Sequence, residues 1–285
     1  PNCLKHSTPI QYADDTSLTC TADNLTNLES HLNLELKLVK AWLSANKLTL
    51  NVAKTEFMLI TTRQKLPFLA NQEIKIHIDN TPIERVKSTK ALGVTLQESL
   101  SWANHVDRLR KKVAAGIGLL RRIRDFTSFD ILIKIYKALI EPHFDYACTV
   151  WDDLDATLAL KLQKLQNRAA RIITKSDYEV RSTDILKNLG WETLQNRRYD
   201  LKKRLMIKVM KGEAPQYLID LFKTKIYETS LVLRNSENKL NFQKPRTNCF
   251  KGSFSYSGAV LWNSLPAETR ASVMTPLDEY AESCS

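Results

Sequence analysis

The spacing of apolar residues changes once along this chain, near residue 98, and this change constrains its fold more than any other feature. Before it, short segments rich in β-formers occupy 55–62, 74–79, 83–86 and 91–96. After it, apolar residues recur every three or four positions over several long stretches. Short β-rich segments predict a small antiparallel sheet, whereas the longer spacing predicts amphipathic helices. We therefore expect an α+β chain: a mixed region at 1–97, a helical region at 98–222 and a basic segment at 223–285.

Several helices can be bounded from the sequence. Asn24 or Thr26 can cap a first helix that ends near Asn46. Its apolar stripe consists of Leu28, Leu32, Leu36, Val39 and Leu43. Helices are also expected from Trp102 to about residue 122 and over 128–141, 155–174 and 192–211. The apolar face of the helix after Trp102 consists of Val106, Leu109, Val113, Ile117 and Leu120. That of the helix over 155–174 consists of Leu158, Leu162, Leu165, Ala169 and Ile172. That of the helix over 192–211 consists of Leu194, Leu201, Leu205 and Val209. Residues 223–258 lack clear periodicity and favour a loop or a weakly ordered segment.

A pair of adjacent acids lies early in the chain. Residues 7–21 alternate around Asp14 and Asp15, which predicts a β-hairpin with both acids exposed at its turn. Adjacent carboxylates repel each other unless a cation lies between them. A divalent metal is the usual solution, and Mg²⁺ binds carboxylate oxygens together with substrate phosphates. The pair therefore indicates either a two-metal phosphoryl-transfer site or a plain exposed acidic turn.

The net charge of +11 is unevenly distributed. Residues 1–60 hold 5 Lys and Arg against 6 Asp and Glu, whereas residues 61–285 hold 37 against 25. Two predicted helices each place four cations on one side, away from their apolar residues. They are Arg108, Lys111, Lys112 and Arg122 on the first, and Lys161, Lys164, Arg168 and Arg171 on the second. Such faces can follow a phosphate backbone, although a solvated basic surface remains the alternative.

Other kinds of site find little support. The five cysteines lack the spacing of a zinc site, and the seven glycines form no phosphate-binding loop. His31, His105 and His143 accompany no nucleophile pattern, and the five tryptophans are expected to pack in the interior. No apolar run is long enough to cross a membrane, and no signal peptide is visible. We therefore expect an intracellular protein, in the nucleus, the cytoplasm or both, that is not secreted and does not bind membranes.

The sequence Tyr12-Ala13-Asp14-Asp15-Thr16 resembles the YADD motif of reverse transcriptases. Further segments are similar, in the same order, to non-LTR (LINE-like, jockey- and CR1-type) retrotransposon reverse transcriptases. They are Trp42, residues 46–51, residues 54–58, residues 92–96, residues 100–102 with His105, residues 135–146, residues 150–151, residues 163–171, residues 189–191, residues 197–198 and residues 261–266. The resemblance covers nearly the whole chain.

This resemblance implies roles for individual residues. Asp14 and Asp15 would bind Mg²⁺ (Mn²⁺ being a possible substitute) in a polymerase palm, and Tyr12 would lie beside the nucleotide. Lys54 would donate a proton to departing pyrophosphate, although a surface lysine is the alternative. Residues Leu92, Gly93 and Val94 would support the primer terminus, although a plain strand is the alternative. The two cationic helix faces would then belong to a thumb that binds template and primer.

The implied activity is RNA-directed DNA synthesis, with dNTP substrates, an RNA template and a DNA primer or target. The chain starts at Pro1 without an initiator Met, and the first metal-binding aspartate of such enzymes precedes YADD. We therefore expect a piece of such an enzyme that is inactive by itself. The alternative is a non-catalytic nucleic-acid-binding remnant of a degraded element. The sequence leaves open the oligomeric state, the preferred template and the role of residues 223–285.

Overall fold

The computed structural model describes residues 4–224, 238–242 and 244–274, and these fall into two compact units. The first unit is Pro1–Ser101 and the second is Trp102–Ser285. The first combines small sheets with helices, and the second is largely helical. This mixture is compatible with the expected α+β class, while the palm and thumb assignments remain predictions.

The first unit opens with the expected hairpin. Strand β1 (Ser7–Tyr12) pairs antiparallel with β2 (Asp15–Cys20) along its whole length. Helix α1 (Leu25–Ala45) follows, and the Asn24 side chain caps it by accepting a hydrogen bond from the backbone N–H of Asn27 at 2.8 Å. The predicted start and end of this helix are therefore confirmed, with Asn24 as the cap.

The rest of the first unit consists of short elements. In chain order they are a 3₁₀ turn (Val52–Lys54), β3 (Glu56–Phe57), α2 (Leu66–Ala70), β4 (His77–Ile78), β5 (Thr81–Pro82), β6 (Glu84–Arg85), β7 (Ser88–Ala91) and β8 (Val94–Gln97). Leu36, Ile76, Ile78 and Ile83 form the core of the unit. The strands are shorter than the sequence predicted. One pair, β3 with β6, is parallel rather than antiparallel, because the chain crosses over through α2 and the β4–β5 hairpin.

The prediction of a single strand over 91–96 is wrong. Strands β7 and β8 form a hairpin there, with Ala91 opposite Val94 and Leu92 and Gly93 in the turn. Both turn residues have positive φ, 44° and 86°, which is the pattern of a type I′ turn. Glycine adopts this conformation without steric penalty, so Gly93 turns the chain where the sequence pattern continued a strand.

The second unit begins with helices of two kinds: the four long ones, which start at Ala103, Phe129, Ala156 and Leu194, lie where the sequence predicted them, and the four short ones were not predicted. They are α3 (Ala103–Ile123), α4 (Phe129–Leu139), α5 (Glu141–Asp145), α6 (Cys148–Trp151), α7 (Ala156–Thr174), α8 (Ser182–Asn188), α9 (Leu194–Met210) and α10 (Gln216–Ile219). Helix α3 packs most extensively against α7. All five predicted apolar residues of α3 are buried. The apolar face expected for this helix is therefore confirmed.

The prediction for α9 is only partly right. Leu194 and Val209 are buried, but Leu201 and Leu205 are partly exposed. Arg198 and Lys202 are buried instead. Long cationic side chains can pack their methylene stems in a core when their charged ends find a carboxylate, and here both reach Asp152.

Part of the segment expected to be a loop is helical. Strand β9 (Lys223–Thr224) pairs antiparallel with β10 (Leu240–Asn241). They are followed by α11 (Asn248–Gly252), α12 (Phe254–Ser264) and α13 (Ala267–Met274). The loop prediction for 223–258 is therefore wrong over 248–258, where α12 packs on α9 around the fully buried Trp262. It is also wrong at the two paired strands, and residues 225–237, 243 and 275–285 fall outside the described part of the chain.

Within the described part of the chain, none of the helices has both the length and the apolar character that a membrane span requires.

Candidate active site and nucleic-acid surface

The acidic pair lies at the tip of the β1–β2 hairpin. Tyr12 faces Asp15 as the last pair of the ladder, and Ala13 and Asp14 form the two-residue turn. Both carboxylates are exposed, and the Tyr12 side chain beside them is 65% exposed. The sequence-based prediction of an exposed acidic hairpin tip is therefore confirmed.

The turn itself holds a strained residue. Ala13 has φ 52°, whereas Asp14 is not among the residues with positive φ. One positive φ at the first turn position is the pattern of a type II′ turn, which favours glycine there. Alanine pays a steric penalty in this conformation. Such strain is often found where a functional site fixes the direction of a side chain, and here the next side chain is Asp14.

The donor chemistry of the tip is that of a hard metal ion, but the set is small. Asp14 and Asp15 offer oxygen ligands suited to Mg²⁺. Over residues 4–224, 238–242 and 244–274, no three His, Cys, Asp or Glu side chains come together in a group that could hold a metal ion. The described residues therefore do not by themselves form a complete metal site.

Glu35 anchors the base of the hairpin, and the sequence analysis missed it. This α1 residue is fully buried, and its carboxylate accepts hydrogen bonds from the backbone N–H of Lys5 (2.8 Å) and His6 (3.1 Å). It also accepts one from the Ser7 hydroxyl at 2.5 Å. Burial by itself raises the pKa of Glu35, but the Ser7 and backbone hydrogen bonds and the nearby His6 outweigh it, so the pKa is lowered. An acid within the apolar stripe of α1 was the signal that could have revealed it.

The other predicted residues of the first unit are less closely organised. Lys54 is exposed at the end of the 3₁₀ turn, where its backbone N–H donates to the Asn51 side chain. Leu92 and Gly93 are exposed at the β7–β8 turn, whereas Val94 is buried in the interior of the unit. The predicted primer-supporting triplet is thus divided between a surface turn and the core, and its role remains a prediction.

The cationic face of α3 is exposed as expected. Arg108, Lys111, Lys112 and Arg122 all face solvent, and Lys111 forms a surface ion pair with Asp107 at 3.2 Å. Burial lowers the pKa of the neighbouring His105, and the charges of Arg108 and Lys112 lower it further. The positive charges of this face therefore also disfavour protonation of His105.

The face of α7 is smaller than predicted. Lys161, Lys164 and Arg168 are exposed. Arg171 is half-buried and held within the chain: its guanidinium donates to the Asp177 carbonyl (2.7 Å) and to the Ser182 hydroxyl (3.0 Å). Arg171 is therefore occupied with fixing the loop after α7, and three cations of this face remain exposed.

A cluster of ion pairs on α9 was not predicted. The Arg197 guanidinium donates from Nε and Nη2 to the two carboxylate oxygens of Asp145, both at 2.6 Å, and its Nη1 lies 3.2 Å from Glu141. The next residue, Arg198, reaches Asp152 at 2.8 Å, as does Lys202 at 2.5 Å. The sequence shows a run of charges on α9 but not which of them point inward.

Comparison with known proteins gives one consistent set of relatives. The chain is 26% identical over 191 residues to the probable RNA-directed DNA polymerase from transposon X-element of Drosophila melanogaster, covering 64% of this chain and 20% of the relative. It is 25% identical over 187 residues to the probable RNA-directed DNA polymerase from transposon BS of the same species, covering 65% and 20%. It is 25% identical over 182 residues to the RNA-directed DNA polymerase from mobile element jockey of Drosophila funebris, covering 61% and 19%.

The homologues of this chain are thus RNA-directed DNA polymerases of Drosophila non-LTR retrotransposons, as the sequence motifs indicated. The chain spans about a fifth of the length of the curated relatives it matches. No family model and no solved structure matches it.

Proposed function

We propose that this chain forms part of an RNA-directed DNA polymerase of the non-LTR retrotransposon class. The observation that carries the proposal is the exposed Asp14–Asp15 pair at the tip of a hairpin whose base is held by a buried carboxylate, Glu35. The relatives, which are polymerases of mobile elements, support the same reading. The substrates would be dNTPs, an RNA template and a DNA primer.

In this proposal the hairpin contributes two carboxylates to a metal-dependent site. Mg²⁺, or Mn²⁺ in its place, would supply electrostatic stabilisation of the transferring phosphoryl group. Asp14 and Asp15 would hold the ion, and Tyr12, exposed beside them, would face the incoming nucleotide. Lys54 would place a cation near the departing pyrophosphate. Residues Leu92, Gly93 and Val94 would lie near the primer end.

The helical unit would hold the template–primer duplex. The exposed cations of α3 and α7 would contact phosphates, since each phosphate contact by Lys or Arg releases a condensed counterion. Seven of the eight predicted cations remain available: Arg108, Lys111, Lys112, Arg122, Lys161, Lys164 and Arg168. Arg171 would act indirectly by fixing the neighbouring loop.

A second function, nucleic-acid binding without catalysis, is favoured by one observation. Two carboxylates without a third metal-binding side chain in the described residues form an incomplete metal site. We expect the 285-residue polypeptide to bind a primed RNA template without extending the primer in Mg²⁺ or Mn²⁺. Primer extension that is abolished by Asp14→Ala would instead show that this polypeptide is an active polymerase.

Salt dependence of binding tests the duplex surface. Over a rise from about 50 to about 200 mM salt, four to six phosphate contacts should weaken binding by roughly two to three decades. In a variant with Gln at Arg108, Lys111, Lys112 and Arg122, the binding constant should depend less steeply on salt. The slope of log binding constant against log salt concentration should shrink by up to about 0.9 for each cation removed. The apolar face of α3 is unchanged in this variant, so its circular dichroism should match that of the native chain.

A matched control removes the same charge elsewhere. Lys187, Arg204, Lys208 and Lys211 are also exposed, on or near α8 and α9. If the α3 face makes the phosphate contacts, the variant with Gln at these four positions should keep most of the salt dependence of binding. Equal losses in both variants would reduce the proposal to nonspecific attraction by net charge. Asp14→Asn with Asp15→Asn should leave binding equal or slightly tighter, because repulsion of phosphate is removed.

A further inference from the structure

Two consecutive arginines of α9 differ in how their guanidinium groups are used. Arg197 has acceptors on three of its nitrogens, from Asp145 and Glu141. Arg198 donates only from Nε, to Asp152, so its two Nη groups have no acceptor among the described residues. The guanidinium carbon of Arg198 lies 5.9 Å from the centroid of the Trp151 ring. A guanidinium carries five N–H donors, so Arg198 keeps most of its donors open.

These open donors belong to a side chain that is largely buried. The Arg198 side chain is only 6% exposed, yet it lines a cleft of about 490 Å³ between the start of α7 and the start of α9. Clefts of this size suit a small ligand. The open N–H donors of Arg198 belong to the lining of this cleft, where a ligand rich in acceptor oxygens could accept charge-assisted hydrogen bonds from them.

The carboxylate in the cleft does not oppose an anion. Both oxygens of Asp152 are occupied, one by Arg198 Nε and the other by Lys202 Nζ. Lys202 also donates to the Ser257 hydroxyl at 3.3 Å, which holds it in place. One carboxylate thus faces two buried cations, and an incoming negative charge would meet a locally positive environment.

The start of α9 reinforces this field, whereas the start of α7 is already capped by the Asp155 carboxylate, which accepts from the Leu158 N–H at 2.8 Å. Ala156 and Gln195 lie in the first turns of α7 and α9 and line the cleft. Their backbone N–H groups make no hydrogen bond with any residue that the structure describes, whereas the neighbouring Asn196 N–H donates to the Thr193 hydroxyl. Free N–H groups and the helix dipole both favour an anion at such a position.

The other residues that line the cleft indicate which chemical group carries the anion. The half-exposed Tyr199 ring lies in the cleft, with the apolar side chains of Leu154 and Ala159 and the amides of Gln195 and Asn196. Nucleic-acid bases stack on aromatic rings, and amide side chains can hydrogen-bond their edges. We propose that the cleft is a nucleotide site, in which Arg198 binds the phosphate and Tyr199 stacks on the base. It is separate from the cationic faces of α3 and α7 and does not depend on polymerase activity.

Binding to the full 285-residue chain tests the proposal. The probes are a fluorescent pentathymidylate single strand, thymidine monophosphate and inorganic phosphate, each at about 200 mM salt to suppress contacts by the surface cations. Arg198→Gln removes the phosphate ligand but leaves Asp152 paired with Lys202. Ala159→Phe fills the cleft and keeps every charge. Arg204→Gln removes one exposed cation from the same helix outside the cleft and serves as the control.

We expect Arg198→Gln and Ala159→Phe each to weaken pentathymidylate binding about tenfold or more, as the loss of a charge-assisted hydrogen bond predicts, and Arg204→Gln less than twofold. Tyr199→Leu should weaken binding of the strand and leave inorganic phosphate unaffected. Thymidine monophosphate that competes with the strand would identify a free nucleotide as a ligand, whereas failure to compete would assign the site to a nucleotide within a strand.

Some results would overturn the proposal. Native-like affinity in Ala159→Phe, with unchanged circular dichroism, would show that the cleft is not used. Because this variant retains the ion pairs, it decides the matter even if Arg198→Gln fails to fold. A loss in Arg204→Gln as large as in Arg198→Gln would reduce the effect to net charge. None of these variants alters the α3 face, so duplex binding there can fail or succeed independently.

Discussion

The Glu35 carboxylate accepts a hydrogen bond from the Ser7 hydroxyl across 2.5 Å, joining the middle of α1 to the first residue of the acidic hairpin. Glu35 lies within the apolar stripe of α1, beside the buried Leu36. The hairpin tip is exposed, so its direction depends on how its base is held. The backbone N–H groups of Lys5 and His6 add two further bonds to the same carboxylate. The buried acid therefore fixes the start of β1, from which the ladder extends to the Tyr12–Asp15 pair beside the turn.

Removing this acid should destabilise the first unit. Glu35→Ala leaves three donors without their acceptor, and we expect a loss of about 1–3 kcal/mol in the free energy of unfolding, measured with urea. Hydrogen exchange should accelerate at the amides of Lys5 and His6. Lys37→Ala, which changes an exposed residue of the same helix, should remain near the native stability. Unchanged exchange at both amides in Glu35→Ala would contradict the anchoring role.

The same carboxylate predicts an acid-sensitive stability. Its pKa is lowered in the folded chain from an ordinary value of 4.5, because the hydrogen bonds from Ser7 and the backbone outweigh the opposing effect of burial. The unfolded chain therefore binds the proton at higher pH than the folded chain does. The stability that ionised Glu35 contributes is present above about pH 4.5 and decreases as the pH falls through the lower folded value. Glu35→Gln should flatten the pH dependence of the unfolding free energy in this range, and a parallel curve would exclude Glu35 as its source.

The strained turn at the acids predicts a stabilising substitution. Ala13 has φ 52° at the position of a two-residue turn where glycine is preferred. Ala13→Gly should relieve about 1 kcal/mol of backbone strain, partly offset by the greater entropy of glycine in the unfolded chain. Thermal unfolding should therefore shift upward or remain unchanged. A clear downward shift would show that the methyl group of Ala13 makes a favourable contact in the turn.

Two glycines of α3 should respond oppositely to the same substitution. A Cβ at Gly116 would lie 2.7 Å from Cγ1 of the fully buried Ile140, whereas a Cβ at Gly118 would meet nothing within 4 Å. Gly118→Ala should stabilise the helix by up to about 1 kcal/mol through higher helix propensity. Gly116→Ala gains the same propensity but overpacks the contact of α3 with the segment after α4, which costs about 1–3 kcal/mol.

Urea unfolding of the two variants measures the difference between these glycines directly. Since both lie in one helix two residues apart, the propensity gain cancels in the comparison. Equal stability in the two variants would show that Ile140 can move aside.

The sequence revealed the elements whose formation depends on local patterns. Alternation on both sides of Asp14 and Asp15 was sufficient for the hairpin, because a two-residue turn fixes its register. Asn24 and the leucine stripe were sufficient for α1, since cap chemistry and periodicity are both local. The hairpin at Leu92 and Gly93 was missed because one exposed leucine inside an apolar run gives no sign that the chain reverses there.

The sequence by itself thus determined the class of the chain, its hairpin and its long helices, and the motifs shared with retrotransposon polymerases. The tertiary structure decided which charges are structural. Glu35, Arg198 and Lys202 resemble surface residues in a list of charges, yet each is buried. A charge can be buried only where partners from distant segments meet it, as Ser7 meets Glu35 and Asp152 meets both cations of α9. Such partners are adjacent in space and not in sequence, so only the folded chain could show them.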